Sequence, residues 1–405
     1  MATDKFDIIV FGATSFVGKI LSAYLVDKYG VGGDVRWAAA ARSQAKLDAL
    51  KASLGEKAVE LPLIVADAAD EAALRTMAVQ ADVIISTVGP YALYGEPLVK
   101  VCAETGTDYC DLTGEAQWSR AMARKYGEAA RKSGARIVHS CGFDSIPSDL
   151  GVHILQKAAQ AKYSAPCTTV KMGVKAIKGG ASGGTVASLM NVLKEVKKDP
   201  RLRKILADPY MLCGTEHGFT ARQRNVSFAT YDADFGCWLA PFVMAAINTR
   251  VVHQSNALTG KAYGAGFKYD ESVFTKGRFA ATVASLGLGA FMALASMAPT
   301  RAFLERFVVP KPGEGPSPEQ QKNGFYDLRF RGVTDAGGIV EAKVTGDRDP
   351  GYGSTAKMLA QAGISLAKDK TPSDNQGGFW TPATAFGDVL VERLEKSAGL
   401  KFEVL

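Results

Sequence analysis

Seven residues near the start of the chain, Gly12-Ala13-Thr14-Ser15-Phe16-Val17-Gly18, have the types and spacing to hold a phosphate. A glycine at the first position permits a tight turn. A glycine at the last lets a following helix approach its neighbour, and the free N–H groups of a first helical turn attract an anion. The spacing is G-x-x-S-x-x-G, with Ser15 where glycine is commoner, and its hydroxyl can donate to a phosphate. Further on stands Arg42, with Ser43 and Lys46 beside it. A reader of a ribose 2′-hydroxyl would be Asp or Glu here, whereas the planar donor fork of arginine suits a 2′-phosphate and can stack on adenine. Together these residues point to a dinucleotide with an extra phosphate, NADP(H). Asp67 is expected near its adenine, and Thr87-Val88-Gly89-Pro90 near its ribose and nicotinamide. Tyr91 and Tyr94 carry phenols that can donate a proton or a hydrogen bond, and His139 and Asp144 are the next proton donors. Asp111 and Asp144 read equally well as acids in a cleft or as residues that cap helices and tie turns.

Such residues need strand ends to hold them, and the first 150 residues supply them. Phe6–Phe11 is a short β-rich apolar run that ends at Gly12, and Val17, Ile20, Leu21, Tyr24 and Leu25 then share one helical face. Further strands are predicted at Val35–Ala41, Leu61–Val65, Val83–Ser86 and Arg136–Ser140, with a helix over 116–133. Each strand runs into one of the polar candidates. Pro147 fits a first helical position, capped by Ser145 or Ile146. Strand–helix alternation of this kind predicts an α/β fold with a doubly wound parallel sheet of the Rossmann type, which binds its ligand across the carboxyl ends of the strands.

Composition narrows the classes. With 405 residues, 47% apolar and 22% charged, the chain can bury two cores and is neither disordered nor fibrous. Residues 1–150 hold 16 Lys and Arg against 19 Asp and Glu, while 151–405 hold 32 against 22, so the second part is the basic one. It favours an anionic partner, but no basic–aromatic module indicates nucleic acid. Six cysteines form no C-x-x-C pair and only four histidines accompany them, so no metal site is expected. The start has no signal-peptide pattern, and reduced thiols in the cytoplasm are the plain reading.

The rest of the chain is read as an α+β substrate domain over 151–377, with about 378–405 returning to the first domain. Thr168–Val174 is a strand, and Gly179–Gly184 is a glycine-rich loop opening a helix read over 185–198, with its basic end running on to 204. That helix ends in Lys194, Lys197, Lys198, Arg201, Arg203 and Lys204, a solvated end or a contact for the phosphates of a carrier-bound substrate. Phe279–Ala298 runs twenty residues without a charge. It reads as a buried helix or hairpin, as a surface helix against lipid or a subunit, or as a membrane span. Pro310–Lys322 is a surface loop, Tyr326–Val333 and Gly338–Val344 pair as a hairpin, and helices cover 352–367 and 382–396.

Four motifs, G-A-T-S-F-V-G, T-V-G-P-Y, Y-C-D-L-T-G-E and C-G-F-D-S-I-P-S-D, joined by later matches at Gly179–Thr185, Asp349–Gly353 and Gly377–Ala383, make the chain resemble the saccharopine dehydrogenase-like oxidoreductases. Within them it is similar to the bacterial trans-acting enoyl reductases. The resemblance implies an NADP-binding Rossmann domain, a second domain that closes over the cofactor, and hydride delivery to the β-carbon of an enoyl thioester or lipid-like substrate, carrier-bound in some forms. A saccharopine-type dehydrogenase acting on a C–N bond is the second reading. An NADP-binding lipid- or membrane-associated scaffold without turnover is the third. A homo-oligomer and a peripheral membrane contact through 279–298 are compatible with all three.

Overall fold

The computed structural model describes residues 5–180, 183–307 and 314–405. Its fourteen strands are, in chain order, β1 (Phe6–Phe11), β2 (Trp37–Ala41), β3 (Leu63–Val65), β4 (Ala81–Ser86), β5 (Asp108–Asp111), β6 (Arg136–Val138), β7 (Cys167–Lys178), β8 (Thr230–Asp232), β9 (Cys237–Pro241), β10 (Lys268–Thr275), β11 (Phe325–Thr334), β12 (Ile339–Gly346), β13 (Gly378–Trp380) and β14 (Leu400–Val404). The chain divides into two compact units. Unit 1 takes Met1–Phe143, Gly313–Gly315 and Gly351–Ala398, and unit 2 takes Asp144–Pro312, Pro316–Pro350 and Gly399–Leu405.

Unit 1 is built on a seven-stranded parallel sheet of order β13-β6-β5-β4-β1-β2-β3. Its inner strands are fully covered, so they read as unbroken apolar runs such as Ile8-Ile9-Val10 and Val83-Ile84-Ile85. The order reverses between β1 and β4, which opens a crevice at the carboxyl ends of these two strands. The helix Thr355–Lys368 lies against β1, β4 and β5, so the return of the chain to this unit begins at Gly351. Buried polar contacts fasten it: Gln361 Nε2 donates to Tyr24 Oη at 2.6 Å and to Tyr29 Oη at 2.9 Å. Arg136 ties β5 and β6 to the same segment through Asp108, Asp374 Oδ1 at 2.7 Å and the Leu366 carbonyl at 2.6 Å. The expected final helix over 382–396 is two helices, Pro382–Phe386 and Asp388–Ser397, because Gly387 adopts a positive φ of 55° between them.

Unit 2 holds a mixed sheet of order β14-β12-β11-β7-β10-β9-β8, with β7 and β10 parallel and the other neighbours antiparallel. The hairpin β11–β12 and the strand at β7 lie where the alternation places them. The helices Ile146–Tyr163 and Ala245–Leu258 pack on the sheet, and a buried polar network joins them to β10. Asn248 Nδ2 donates to Ser148 Oγ at 3.1 Å and to Glu271 Oε2 at 2.9 Å, while Tyr269 Oη donates to Glu271 Oε1 at 2.8 Å. Ser255 Oγ donates to Asp149 Oδ1 at 2.6 Å. Ser148 and Asp149 of the C-G-F-D-S-I-P-S-D motif are therefore core anchors. Burial pushes the Glu271 carboxyl up to about 7, against the donors Ser148, Tyr269 and Asn248, which favour its charged form.

Three points of this unit follow from the expectations. The helix ends at Lys198, where the 185–198 reading places it, and the basic run to 204 continues on a second helix, Arg201–Ala207, because Pro200 breaks the ladder. Residues 181–182 of the glycine-rich loop and 308–313 of the Pro310–Lys322 segment lie outside the described residues, and within the latter Pro318–Lys322 is a short helix with a Ser317–Gln320 capping box. The uncharged stretch is the helix Arg278–Ser296, and only 17% of its most apolar window is buried, so it is not a core helix.

Glu271 gives a pH test. Its folded pKa lies above the unfolded value of about 4.5, so the folded chain binds the extra proton between the two, and this contribution is lost as pH rises toward and past 7. Relative to the natural chain, Glu271→Gln is expected to gain melting temperature steadily from pH 5 to pH 8. A paired melting series checks this, and a difference independent of pH would refute it.

Candidate functional site

The glycine loop leaves β1 at the point where the strand order reverses. Gly12 has a φ of +86°, a left-handed conformation that a side chain resists. A Cβ there would also lie 2.7 Å from both Thr87 Oγ1 and Val88 Cγ2. A Cβ on Gly18 would run into the Gly12 carbonyl oxygen. Two glycines are thus required for the loop to close between β1 and the first helix, Phe16–Tyr29. Ser15 caps that helix, its Oγ accepting from Gly18 N at 2.9 Å. It also meets Thr87 Oγ1 at 2.9 Å, and Thr87 in turn donates to the Gly12 carbonyl at 2.8 Å. The Ser15 proton is then directed at Thr87. The hydroxyl read as a phosphate donor works instead as the cap that shapes the loop. Phe16 N and Val17 N find no acceptor among the described residues and stand at the positive end of the helix. Phe16 itself packs edge-on against Tyr352 at 5.0 Å between ring centres.

The adjoining strand ends carry the other nucleotide candidates. Arg42 follows β2 and is exposed, and Ser43 caps the next helix by accepting from Lys46 N at 3.4 Å. Asp67 follows β3 and is exposed, its Oδ1 closing a turn with Ala69 N at 2.9 Å. Thr87 is buried, Val88 partly buried and Gly89 exposed, and the Gly89–Pro90 peptide is cis. A cradle that two side chains would fill, a helix N-terminus and an exposed guanidinium on β2 fit an NADP molecule lying across these strand ends. The Asp67 carboxylate and the Lys46 side chain make no contact that would single either out.

The candidate proton donors separate. Tyr91 is only 4% exposed, and its hydroxyl donates to the Ser86 carbonyl at 2.9 Å. Its ring leans on Trp118 at 5.4 Å. Tyr91 is an anchor for the end of β4, which corrects its reading as the proton donor. Glu115, not singled out from sequence, holds the same turn by accepting from Tyr91 N at 2.9 Å and Ala92 N at 3.0 Å. The only advance signal for it was its place at the end of the Y-C-D-L-T-G-E motif. Tyr94, by contrast, is 49% exposed.

His139 and Asp111 meet at the carboxyl ends of β6 and β5. His139 Nδ1 lies 2.7 Å from Asp111 Oδ2, and Asp111 is fully buried. That carboxylate also accepts from Tyr109 Oη at 3.0 Å, Thr113 N at 3.0 Å and Ser140 N at 3.1 Å. With four donors around it Asp111 acts as an acceptor, so His139 Nδ1 carries its proton toward it and the exchangeable position is Nε2. His139 Nε2 and the nearby Trp118 Nε1 are buried with no partner among the described residues, their rings 4.9 Å apart. Asp144 is the first residue of unit 2.

Residues 8–138 match the family model of the saccharopine dehydrogenase NADP-binding domain. A Mycobacterium tuberculosis protein, provisionally named a trans-acting enoyl reductase, is 42% identical over 416 residues, covering 98% of this chain and 97% of its own. The trans-acting enoyl reductase of Mycobacterium ulcerans is 38% identical over 414 residues, again covering 98% and 97%. Among solved structures, saccharopine dehydrogenase (L-Glu forming) from Saccharomyces cerevisiae shares the fold with a TM-score of 0.55 and 12% identity, covering 99% of this chain and all of that one.

The nucleotide reading yields a direct test. Arg42→Ala is expected to weaken NADPH binding about 10–100-fold, the value of a charge-assisted phosphate contact of about 1.5–3 kcal/mol. NADH binding should change less than about threefold. Fluorescence titration with both nucleotides distinguishes this from a general loss of the site, which would weaken both alike.

Proposed function

We propose that this chain, which belongs to the saccharopine dehydrogenase-like oxidoreductases together with the trans-acting enoyl reductases, reduces the carbon–carbon double bond of an enoyl thioester or similar lipid-like acyl substrate. Family membership makes it an NADP-dependent oxidoreductase. The observation that carries the finer reading is the likeness to enoyl reductases through 98% of the chain, which includes unit 2 as well as the nucleotide domain. NADPH, held by the glycine loop and Arg42, would supply a hydride for an electron-poor carbon.

The chain's own residues do the rest. Gly12 and Gly18 keep the loop thin enough for the pyrophosphate to approach backbone, and the first helix offers Phe16 N and Val17 N to it. Arg42 selects the 2′-phosphate. Once the β-carbon has gained a hydride, the α-carbon needs one proton. His139 is the residue we assign to it. Asp111 pairs with its Nδ1 and orients the ring, which leaves Nε2 as the atom that hands on the proton. Tyr94 remains the exposed phenol of the neighbouring turn, able to hold the thioester oxygen. An imine-type amino-acid substrate with several carboxylates gains less support. Two cations of unit 2, Lys171 of β7 and Arg224, are already paired with one carboxylate, Asp232, each at 2.9 Å.

Purified protein with NADPH and a panel of enoyl thioesters, set beside an oxo acid with an amine, tests the reaction class. Thioester-dependent NADPH oxidation is expected, and turnover only with the oxo acid and amine would replace this reading. For the proton donor, His139→Gln should lower kcat about 10²-fold or more with NADPH affinity nearly unchanged. Tyr91→Phe should lower kcat by less than about tenfold. It should cost about 1–2 kcal/mol of stability, because the Ser86 carbonyl loses its donor. Steady-state kinetics and melting of the two variants check both statements.

A further inference from the structure

The helix Arg278–Ser296 presents to solvent what soluble helices hide. Its inner stripe, Ala281, Ser285 and Ala295, is buried, and the helix lies against β8, β9 and β10 and against the helix Gly183–Lys198. Met190 of that helix, Ala295 and Leu304 form the small core between them. The outer stripe should then be polar, because that face meets water. It is instead Phe279, Val283, Leu286, Ala290 and Leu294, at spacings of four, three, four and four residues. Phe279 is 82% exposed, Leu286 59% and Val283 53%. The next helix, Ala298–Phe307, adds Phe303 and Phe307, both exposed and in ring contact at 5.2 Å. Two neighbouring helices that both expose large apolar side chains mark a surface meant to be covered.

Charge identifies what covers it. From Lys276 to Phe307 the sequence has four cations, Lys276, Arg278, Arg301 and Arg306, and one acid, Glu305. Lys276, Arg278 and Arg306 are exposed at the two ends of the apolar face. The Arg278 guanidinium lies over the Trp238 ring at 5.8 Å, so an amphipathic indole also stands at this edge. The helix that packs behind the face, against its inner side, and the next helix in the chain carry five more exposed cations, Lys194, Lys197, Lys198, Arg203 and Lys204. An apolar stripe bordered by cations is the pattern of a helix lying in the headgroup boundary of an anionic bilayer. A symmetric contact with a second copy would bring these like-charged ends together. A span would have to strip the helix from the strands that cover its inner stripe.

We propose that the helices Arg278–Ser296 and Ala298–Phe307 form an in-plane attachment site for an anionic phospholipid bilayer, with Phe279, Val283, Leu286 and Leu294 entering the acyl boundary and Lys276, Arg278 and Arg306 meeting the phosphates. The site is separate from the nucleotide loop and does not depend on the reaction assigned above. Flotation of the full chain with phosphatidylcholine vesicles containing 30% phosphatidylglycerol (~30%, enough to set a surface potential) tests it. Binding is expected to exceed that to pure phosphatidylcholine by about tenfold or more and to fall in ~0.5 M salt. The triple variant Phe279→Ser, Val283→Ser, Leu286→Ser should lose at least tenfold of the flotation while NADPH titration stays normal, which shows that the chain still folds. Lys276→Glu with Arg278→Glu should remove the preference for the anionic lipid. Equal binding to both vesicle types, undiminished flotation of the triple variant, or resistance to alkaline extraction, which marks a span, would overturn the proposal. So would a dimer in sedimentation that the triple variant dissolves without any vesicle binding by the natural chain.

Discussion

The Gly12 carbonyl oxygen fills the space that a side chain on Gly18 would need, and unit 1 is arranged around that contact. It brings the end of β1 and the first turn of the helix Phe16–Tyr29 to backbone distance. Thr87 then donates to the same carbonyl from the end of β4, and Ser15 closes the ring by accepting from Gly18 N and meeting Thr87. Each such bond contributes only about 1 kcal/mol net. Their consequence is geometric. The two strands flanking the crevice and the helix N-terminus that faces it are fixed to one another, so an anion meets preformed donors. The returning segment extends the same constraint, since Tyr352 packs on Phe16 and Gln361 bonds to Tyr24 and Tyr29 of the first helix.

Unit 2 is specified by different means. Its sheet is joined to the helix Ile146–Tyr163 through polar groups taken fully out of water: Ser148, Asn248, Tyr269 and Glu271. Burial raises the Glu271 carboxyl to about 7, and three donors oppose that rise. A satisfied buried network is demanding about geometry because each member left alone costs about 1–3 kcal/mol. In the aromatic cluster of unit 1, His139 Nε2 and Trp118 Nε1 have no such partner among the described residues, which is why the proposed proton transfer is assigned there and not to the Glu271 network.

Much of unit 1 was legible in the sequence, and the reason is physical. Strands covered on both faces are continuous apolar runs, and β1, β4 and β5 end at or just before Gly12, Ser86 and Asp111, which mark the loops. The glycine spacing gave the loop itself. Side-chain use was less legible. Tyr91 stands in the expected loop, yet its hydroxyl is consumed by the Ser86 carbonyl, a contact set by one short helical turn and by Glu115 from another segment. The helix end at Lys198 was readable, since proline disfavours helix in the residue before it, whereas the second helix, Arg201–Ala207, was not told apart from the basic run 194–204. The apolar stretch could not be resolved from composition, because a buried helix and an exposed lipid-facing one use the same residues, and only the packing of Ala281, Ser285 and Ala295 separates them.

The central claim is that hydride from NADPH reaches the β-carbon of an enoyl thioester on this chain. The most direct measurement is turnover with NADPH deuterated at nicotinamide C4, using a crotonyl-type thioester in ordinary water, followed by mass and NMR analysis of the product. The account predicts one deuterium at the β-carbon and a solvent proton at the α-carbon. Deuterium at a carbon formerly bound to nitrogen or oxygen, or NADPH that binds tightly yet is never oxidised by any thioester, would contradict it.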